Sequence, residues 1–386
     1  MTKGEIIKKD FKITGWMVFY LLLFAVGFIG MALVFFKGQE ASYGVSREIS
    51  WGLLIIGYSF FVGITTGLSL LAAFGHLFGF ENFHVLSRKM MWTALSALLA
   101  GFFIIFWDLG GPFRLQILRF VTNIVPFHWK SPIWWMSVLY AMELPILIVE
   151  VFLLLANKEK LTFIASILGF IVGISAYSNM GFVFSANIAR PFWYGPFIPM
   201  FFILSAVALG AAFAIILLLV NRKELSDETF AITLKTFSKT LLIVLLMIIF
   251  AKIWRSVTLI YGKEPMTYEA AKQLFAGKLS FNFYFFEILL GIITPFALLL
   301  WGRFKSTYLS LISSICVIIG IFFFRYDTVV AGQLIPVNSI YFPHKEVLSY
   351  MPSIAEITLF ISAVGVMGLV YTIGSRILHL EEENHG

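Results

Sequence analysis

The stretch FNFYFFEILLGIITPFALLL, residues 281–300, is apolar from end to end except for one carboxylate, Glu287. Its length matches the ~20 apolar residues that an α-helix needs to cross a bilayer core. It lacks the short in-and-out alternation of a barrel strand. Working outward, further runs of this kind fall at 14–36, 51–79, 90–107, 132–156, 161–183, 195–220, 237–262, 307–325 and 353–378. Together they predict an all-α integral membrane protein with ten transmembrane helices in one membrane domain spanning 1–386. The bulk composition agrees: 60% of residues are hydrophobic and 13% charged, and the mean hydropathy of +0.93 is far from that of a soluble globular chain. No secretory cleavage signal is read at the N-terminus, where Lys3, Lys8, Lys9 and Lys12 precede a run long enough to span.

Ten spans place both termini on one side. The connections on that side are short and basic, with Arg88, Lys89, Lys158, Lys160, Arg222, Lys223, Lys235, Arg303 and Lys305, whereas 37–50, 108–131, 184–194, 263–280 and 326–352 are longer. By the positive-inside rule both termini are cytoplasmic and the protein lies in the cytoplasmic membrane. The net charge of +7 follows from these loops and implies the lipid bilayer as partner, with no nucleic acid. Trp51, Trp107, Trp129, Trp134, Trp135, Trp193 and Trp254 fall at or near outer helix ends, as an interfacial belt would.

The one cysteine, Cys316, excludes an internal disulfide and a cysteine-ligated iron–sulfur cluster in this chain. Haem needs facing histidines at membrane depth, and of His76, His84, His128, His344, His379 and His385 only His76 lies within a span. Its plain reading is a local hydrogen bond near a helix end. No metal site is expected. Redox chemistry must then come from a bound molecule or a partner.

An ionisable side chain at the bilayer centre costs at least ~2.5–3.5 kcal/mol, so it is retained facing a partner, a cavity or a pathway. Asp108 ends the third span, Arg255 and Glu287 lie within the seventh and eighth, Arg325 closes the ninth with Asp327 beyond it, and Glu356 opens the tenth. All sit toward the outer face. They either staple the bundle by ion pairing or line a site. In the fourth span Glu143 and Glu150 are two helical turns apart on one face, with Pro145 between them to bend the helix and admit water. They either form a proton file leading inward or are separately protonated and hydrogen-bonded. Gly57, Gly63, Gly67 and Gly75 in the second span, with Ala206, Gly210 and Ala211 in the sixth, mark close helix packing. Trp51–Phe74 and Trp193–Phe213 share a loose pattern of outer Trp, aromatics and small residues.

Several local patterns then resemble the NrfD-like membrane subunits of respiratory complexes. They are Trp51-Gly52, Gly63, Gly67, His84 to Arg88, Asp108-Leu109-Gly110, Ser131, Glu150, Met180-Gly181, Arg190-Pro191-Phe192-Trp193, Arg255, Glu287, Arg325, and Tyr350-Met351-Pro352-Ser353 with Glu356. Their order covers about residues 50–375 and most resembles the ten-helix branch of hydrogenase membrane subunits (HybB) and DsrP. The resemblance implies two four-helix bundles, spans two to five (51–183) and six to nine (195–325), flanked by the first (14–36) and last (353–378) helices. It also implies a quinone-reactive subunit that exchanges electrons between menaquinone, or another quinone, and a ferredoxin-like iron–sulfur subunit docked outside, within a larger complex. The chain alone would not be catalytic. Asp108, Arg255, Glu287, Arg325 and Glu356 are the implied catalytic group; Trp193 and Tyr177 join Asp108, Arg255 and Glu287 in holding the cofactor; Glu143 and Glu150 form the proton pathway. Some relatives carry a histidine in the fifth span, where this chain reads Ile174-Ser175-Ala176-Tyr177-Ser178-Asn179-Met180-Gly181, so Tyr177 or Asn179 would take its place. Two other classes share buried charge and ten helices, a secondary transporter and a structural membrane anchor.

Overall fold

A computed structural model describes residues 12–109, 124, 125, 127–337 and 347–381. Lys3, Lys8, Lys9, Gly110, His344 and His385 lie outside the described residues. Ten helices are long and apolar enough to cross a membrane, and the chain is a multi-pass membrane protein. They are α1 (Gly15–Lys37), α2 (Leu53–Phe78), α3 (Ser87–Asp108), α4 (Pro132–Leu155), α5 (Glu159–Ser185), α6 (Phe197–Val220), α7 (Asp227–Tyr261), α8 (Asn282–Trp301), α9 (Thr307–Ala331) and α10 (Ile354–Ile377). Up-and-down order puts the start of α1 and the end of α10 at one face, here called the terminal face; the opposite face carries the longer connections. There a short amphipathic helix, Pro265–Ala276, follows α7, its first turn capped by the Glu264 carboxylate accepting from the Met266 and Thr267 N–H groups.

Contacts between α2 and α3, α3 and α4, α4 and α5, and α5 and α2 close one ring of four helices. Contacts between α6 and α7, α7 and α8, α8 and α9, and α9 and α6 close a second. The rings meet where α6 touches α2 and α5, and where α9 touches α2. The centre is therefore α2, whose spanning window is 89% buried, against 11% for α1. α1 and α10 pair with each other, and α10 lies on α3 and α2. Gly27 and Gly30 of α1 face Ser362 and the Ala355 carbonyl, and Gly365 and Gly368 of α10 face the Phe24 backbone and the Tyr20 ring. Small residues thus bring that pair together at both faces, a pattern expected from the sequence only in the second and sixth spans.

The tightest crossing joins the two rings. A Cβ on Gly67 would meet the Ala206 carbonyl and, at 2.7 Å, the Gly210 nitrogen, while a Cβ on Gly210 would meet the Gly67 backbone. Backbone cannot yield as a side chain does, so Gly67→Ala is expected to destabilise the protein by about 1–3 kcal/mol or more, read as a lowered Tm in detergent or nanodiscs. An unchanged Tm would show that the helices part freely.

Two helices depart from the expected spans. α9 continues to Ala331, past the apolar limit at 325, because Arg325 and Asp327 are both buried and face protein instead of ending the helix in water. α8 is wound as a π-helix from Asn282 to Ile293, with the Thr294 N–H donating to the Leu289 carbonyl five residues back. The wider turn directs Phe283, Glu287, Gly291 and Ile292 inward, and Gly291 lies against the Gly320 backbone of α9. The tryptophans also divide. Trp129, Trp135 and Trp254 are exposed, whereas Trp134 is buried and Trp51 stacks on the buried Trp193 at 5.1 Å, so these last three pack the protein and do not face lipid headgroups.

Candidate functional site

The charges expected at one level near the opposite face do lie there, in three separate groups. The first is inside the second ring. Lys252 of α7 pairs with the Glu287 carboxylate of α8, and Glu287 is in side-chain contact with Asp327 of α9. The Asn282 amide donates to Asp327 Oδ1 at 3.2 Å. The Lys252 ammonium lies 4.2 Å from the centre of the Phe324 ring. One ammonium faces two carboxyl groups, so this trio is neutral only when one carboxyl carries a proton. Arg255, one helical turn along α7, donates to the Phe192 carbonyl and lies over the Phe192 and Phe197 rings. These side chains line an open cleft of about 460 Å³, whose apolar wall includes Phe201, Phe283 and Phe324 and whose cover includes Leu274 and Phe275 at the end of the amphipathic helix. A second cavity of about 340 Å³ shares Lys252, Glu287, Phe201 and Phe324 and reaches Ser205 of α6.

Lys252 is not among the expected residues, though the sequence carries a signal for it: a charge inside an apolar run, three positions before Arg255. Asp327 stands outside the expected site because it lies beyond the apolar limit at 325.

Arg325 and Tyr177 form the second group, between the rings. Arg325 has no exposed surface. Its Nη2 donates to the Tyr177 hydroxyl at 2.9 Å and to Ser205 Oγ, and its guanidinium lies 3.7 Å from the Phe202 ring centre. The Tyr177 hydroxyl in turn donates to the Ser59 carbonyl of α2 at 2.9 Å. Asn179 is spent elsewhere: its amide donates to the Pro132 carbonyl and ties α5 to the start of α4.

The third group holds Glu356 and Asp108, away from the cleft. Glu356 accepts from the N–H groups of Gly44 at 2.8 Å, Ser353 at 2.9 Å and Leu53 at 3.3 Å, and from the Tyr350 hydroxyl at 2.6 Å. With Ser353 it makes a reciprocal capping box on α10, and it also faces the first N–H of α2. Asp108 is in electrostatic reach here: burial first, then the charges of Asp108 and Glu356, hold the Tyr43 phenol above its usual range. Burial and Glu356 do the same for Tyr350, which stays a hydrogen-bond donor. Trp193 belongs to the adjoining clasp. Its indole N–H donates to the Thr328 carbonyl at 2.7 Å, Gln333 exchanges two hydrogen bonds with the Trp51 backbone, and Arg190 donates to the carbonyls of Glu48 and Ile335.

Inside the first ring, Glu143 is 1% exposed, and a Cβ on Gly173 would lie 3.5 Å from Glu143 Oε1 and 3.8 Å from Ser69 Oγ. Two turns toward the terminal face, Glu150 accepts from the Ser166 hydroxyl. Nearer that face, His76 Nδ1 is hydrogen-bonded to the Ala72 carbonyl at 2.9 Å and its ring packs 4.6 Å from that of His84. No group of three His, Cys, Asp or Glu side chains suited to a metal ion occurs among the described residues.

The family profile described as Polysulphide reductase, NrfD matches residues 41–338. The chain belongs to the NrfD family. Among curated proteins, this NrfD chain is 21% identical to a selenate reductase subunit from Mesobacillus selenatarsenatis over 397 residues, covering 92% of this chain and 91% of the relative. It is 22% identical to the Hdr-like menaquinol oxidoreductase integral membrane subunit of Archaeoglobus fulgidus over 386 residues, covering 94% and 93%. The likeness thus runs nearly end to end, and both relatives are named as subunits of reductase or oxidoreductase assemblies.

Proposed function

We propose that this chain is the quinone-reactive subunit of a respiratory oxidoreductase complex in the cytoplasmic membrane. In this reading the termini are cytoplasmic and the clasp face is outer, and electrons pass between menaquinone, or another quinone, and an iron–sulfur subunit docked on that face. The ten helices divide into two four-helix units with α1 and α10 at their side. The observation that carries the reading is the second-ring cleft, where two cations and two carboxyl groups meet an aromatic wall near the outer ends of α7, α8 and α9.

The cleft suits such a headgroup. Lys252 supplies N–H donors for a carbonyl oxygen, the phenylalanines supply apolar walls, and Glu287 and Asp327 supply a proton acceptor beside them. A bound quinone would bring two-electron, two-proton chemistry. Lys252 holds the Glu287 carboxylate ionised until a proton arrives, and Asn282 fixes the Asp327 carboxyl. Arg255 keeps Phe192 and Phe197 over the entrance. Glu143 and Glu150 then form the route toward the cytoplasm. The relative named as a menaquinol oxidoreductase subunit supports the choice of ligand class. Asp108 and Glu356 act in this reading by holding the outer ends of α2, α3 and α10 in place.

A quinone analogue carrying a photoreactive headgroup, added to the purified complex, is expected to label α7 between Lys252 and Leu259 or α8 between Phe283 and Glu287. Labelling confined to the Asp108 and Glu356 group would move the site to the first ring and end this assignment.

A further inference from the structure

The two rings hold their polar groups in one another's direction. Ser205 lines the second-ring cavity together with Lys252 and Glu287, and the same hydroxyl accepts from Arg325. Arg325 bonds Tyr177, which reaches α2 in the first ring. Tyr140 of α4 is in electrostatic reach of Tyr177, Tyr58 and Glu143, and its ring is 5.9 Å from that of Tyr58. Along this line six fully enclosed atoms have no hydrogen-bond partner among the described residues: Arg325 Nε and Nη1, the Tyr140 hydroxyl, both Glu143 carboxyl oxygens and Thr66 Oγ1. Buried polar groups are satisfied by protein or by water, and an orphaned guanidinium N–H or carboxyl oxygen is among the costliest to leave bare. Such atoms scattered through a bundle would each call for a separate explanation. These follow one another from ring to ring.

We infer that a water-filled seam leaves the second-ring cavity at Ser205, crosses between the rings at Arg325 and Tyr177, and enters the first ring at Tyr140 and Glu143. It deepens the proposed function, on which its proton-carrying role rests, by joining the cleft to the carboxylate file. Protons pass along it by exchange between neighbouring hydrogen bonds: each one entering at the cavity is matched by one delivered to Glu143, and no electrons move. The fixed charge of Arg325 disfavours a resident excess proton. Glu287, in electrostatic reach of Arg325, offsets that charge while it is ionised. The seam therefore conducts when the cleft is negative and resists leakage when it is not.

Radiolytic hydroxyl labelling of the purified complex in nanodiscs tests the seam without turnover. Tyr140 and Tyr177 are expected to label at least fivefold faster than Phe61 and Phe237, which are equally buried; equal rates mean a dry interface and overturn the inference. In proteoliposomes with a pH indicator on the terminal-face side, Tyr140→Phe and Thr66→Val are each expected to slow the proton exchange that accompanies quinol turnover by fivefold or more. Unchanged exchange in both variants, with wild-type labelling fast, overturns the proton role. A complex that oxidises no quinol while its tyrosines still label would defeat the functional proposal and leave the seam standing.

Discussion

Glu287→Gln is expected to lower quinol turnover by the assembled complex on the order of 10²-fold, the lower end of what a positioned general base contributes. The amide keeps the shape of the carboxyl but accepts no proton. It also removes the counter-charge of Lys252, whose side chain is 14% exposed, and breaking a buried pair from one side costs about 3–5 kcal/mol. Lost activity and lost stability must therefore be separated. In Lys252→Met with Glu287→Leu neither charge remains, and replacing a buried pair by apolar groups is often neutral or stabilising. That double variant is expected to recover the wild-type Tm while turnover stays low. A single Glu287→Gln variant that turns over at more than a tenth of the wild-type rate would remove the carboxyl from the chemistry and favour a structural anchor.

Glu356→Ala is expected to have the largest effect on stability. It strips an acceptor from the N–H groups of Gly44, Leu53 and Ser353 and from the Tyr350 hydroxyl. Each orphaned donor costs about 1–3 kcal/mol, so the sum approaches the whole stability of an ordinary protein. The N-termini of α2 and α10 also lose the carboxylate that complements their dipoles. Glu356→Gln recovers little, because one of its two ends would point N–H donors at N–H or O–H donors. Both variants are expected to accumulate poorly in the membrane and to melt early. A Glu356→Ala protein that melts normally yet turns over no quinol would place this residue in the chemistry instead.

The ten helices are legible because lipid makes a simple demand, a long apolar run for each crossing, and every run expected from the sequence is a helix. The common level of Asp108, Arg255, Glu287, Arg325 and Glu356 is legible too, since depth follows from distance to a helix end. Grouping is not. Whether Glu356 faces Glu287 or the amides of Gly44 and Leu53 depends on how helices rotate and pack, and no periodicity in α10 reports the loop that folds over its start. The π-helical winding of α8, which turns Glu287 toward Lys252, likewise leaves no plain mark in FNFYFFEILL. Lys252 shows the opposite case: its signal, a charge inside an apolar run, equals that of Glu287, and Arg255 one turn away overshadows it. The family patterns also mix two kinds of residue. Trp51, Arg190, Trp193, Tyr350 and Glu356 bind one another across the outer connections, while Arg255 and Glu287 face a cleft.

At Gly67 and Gly210 the main chains of α2 and α6 touch with no side chain between them. A transporter that rocks one half against the other would have to prise this weld open in every cycle. Held rigid at its middle, the molecule has no hinge there for alternating access, and whatever passes between its halves must be small enough to travel through a stationary frame.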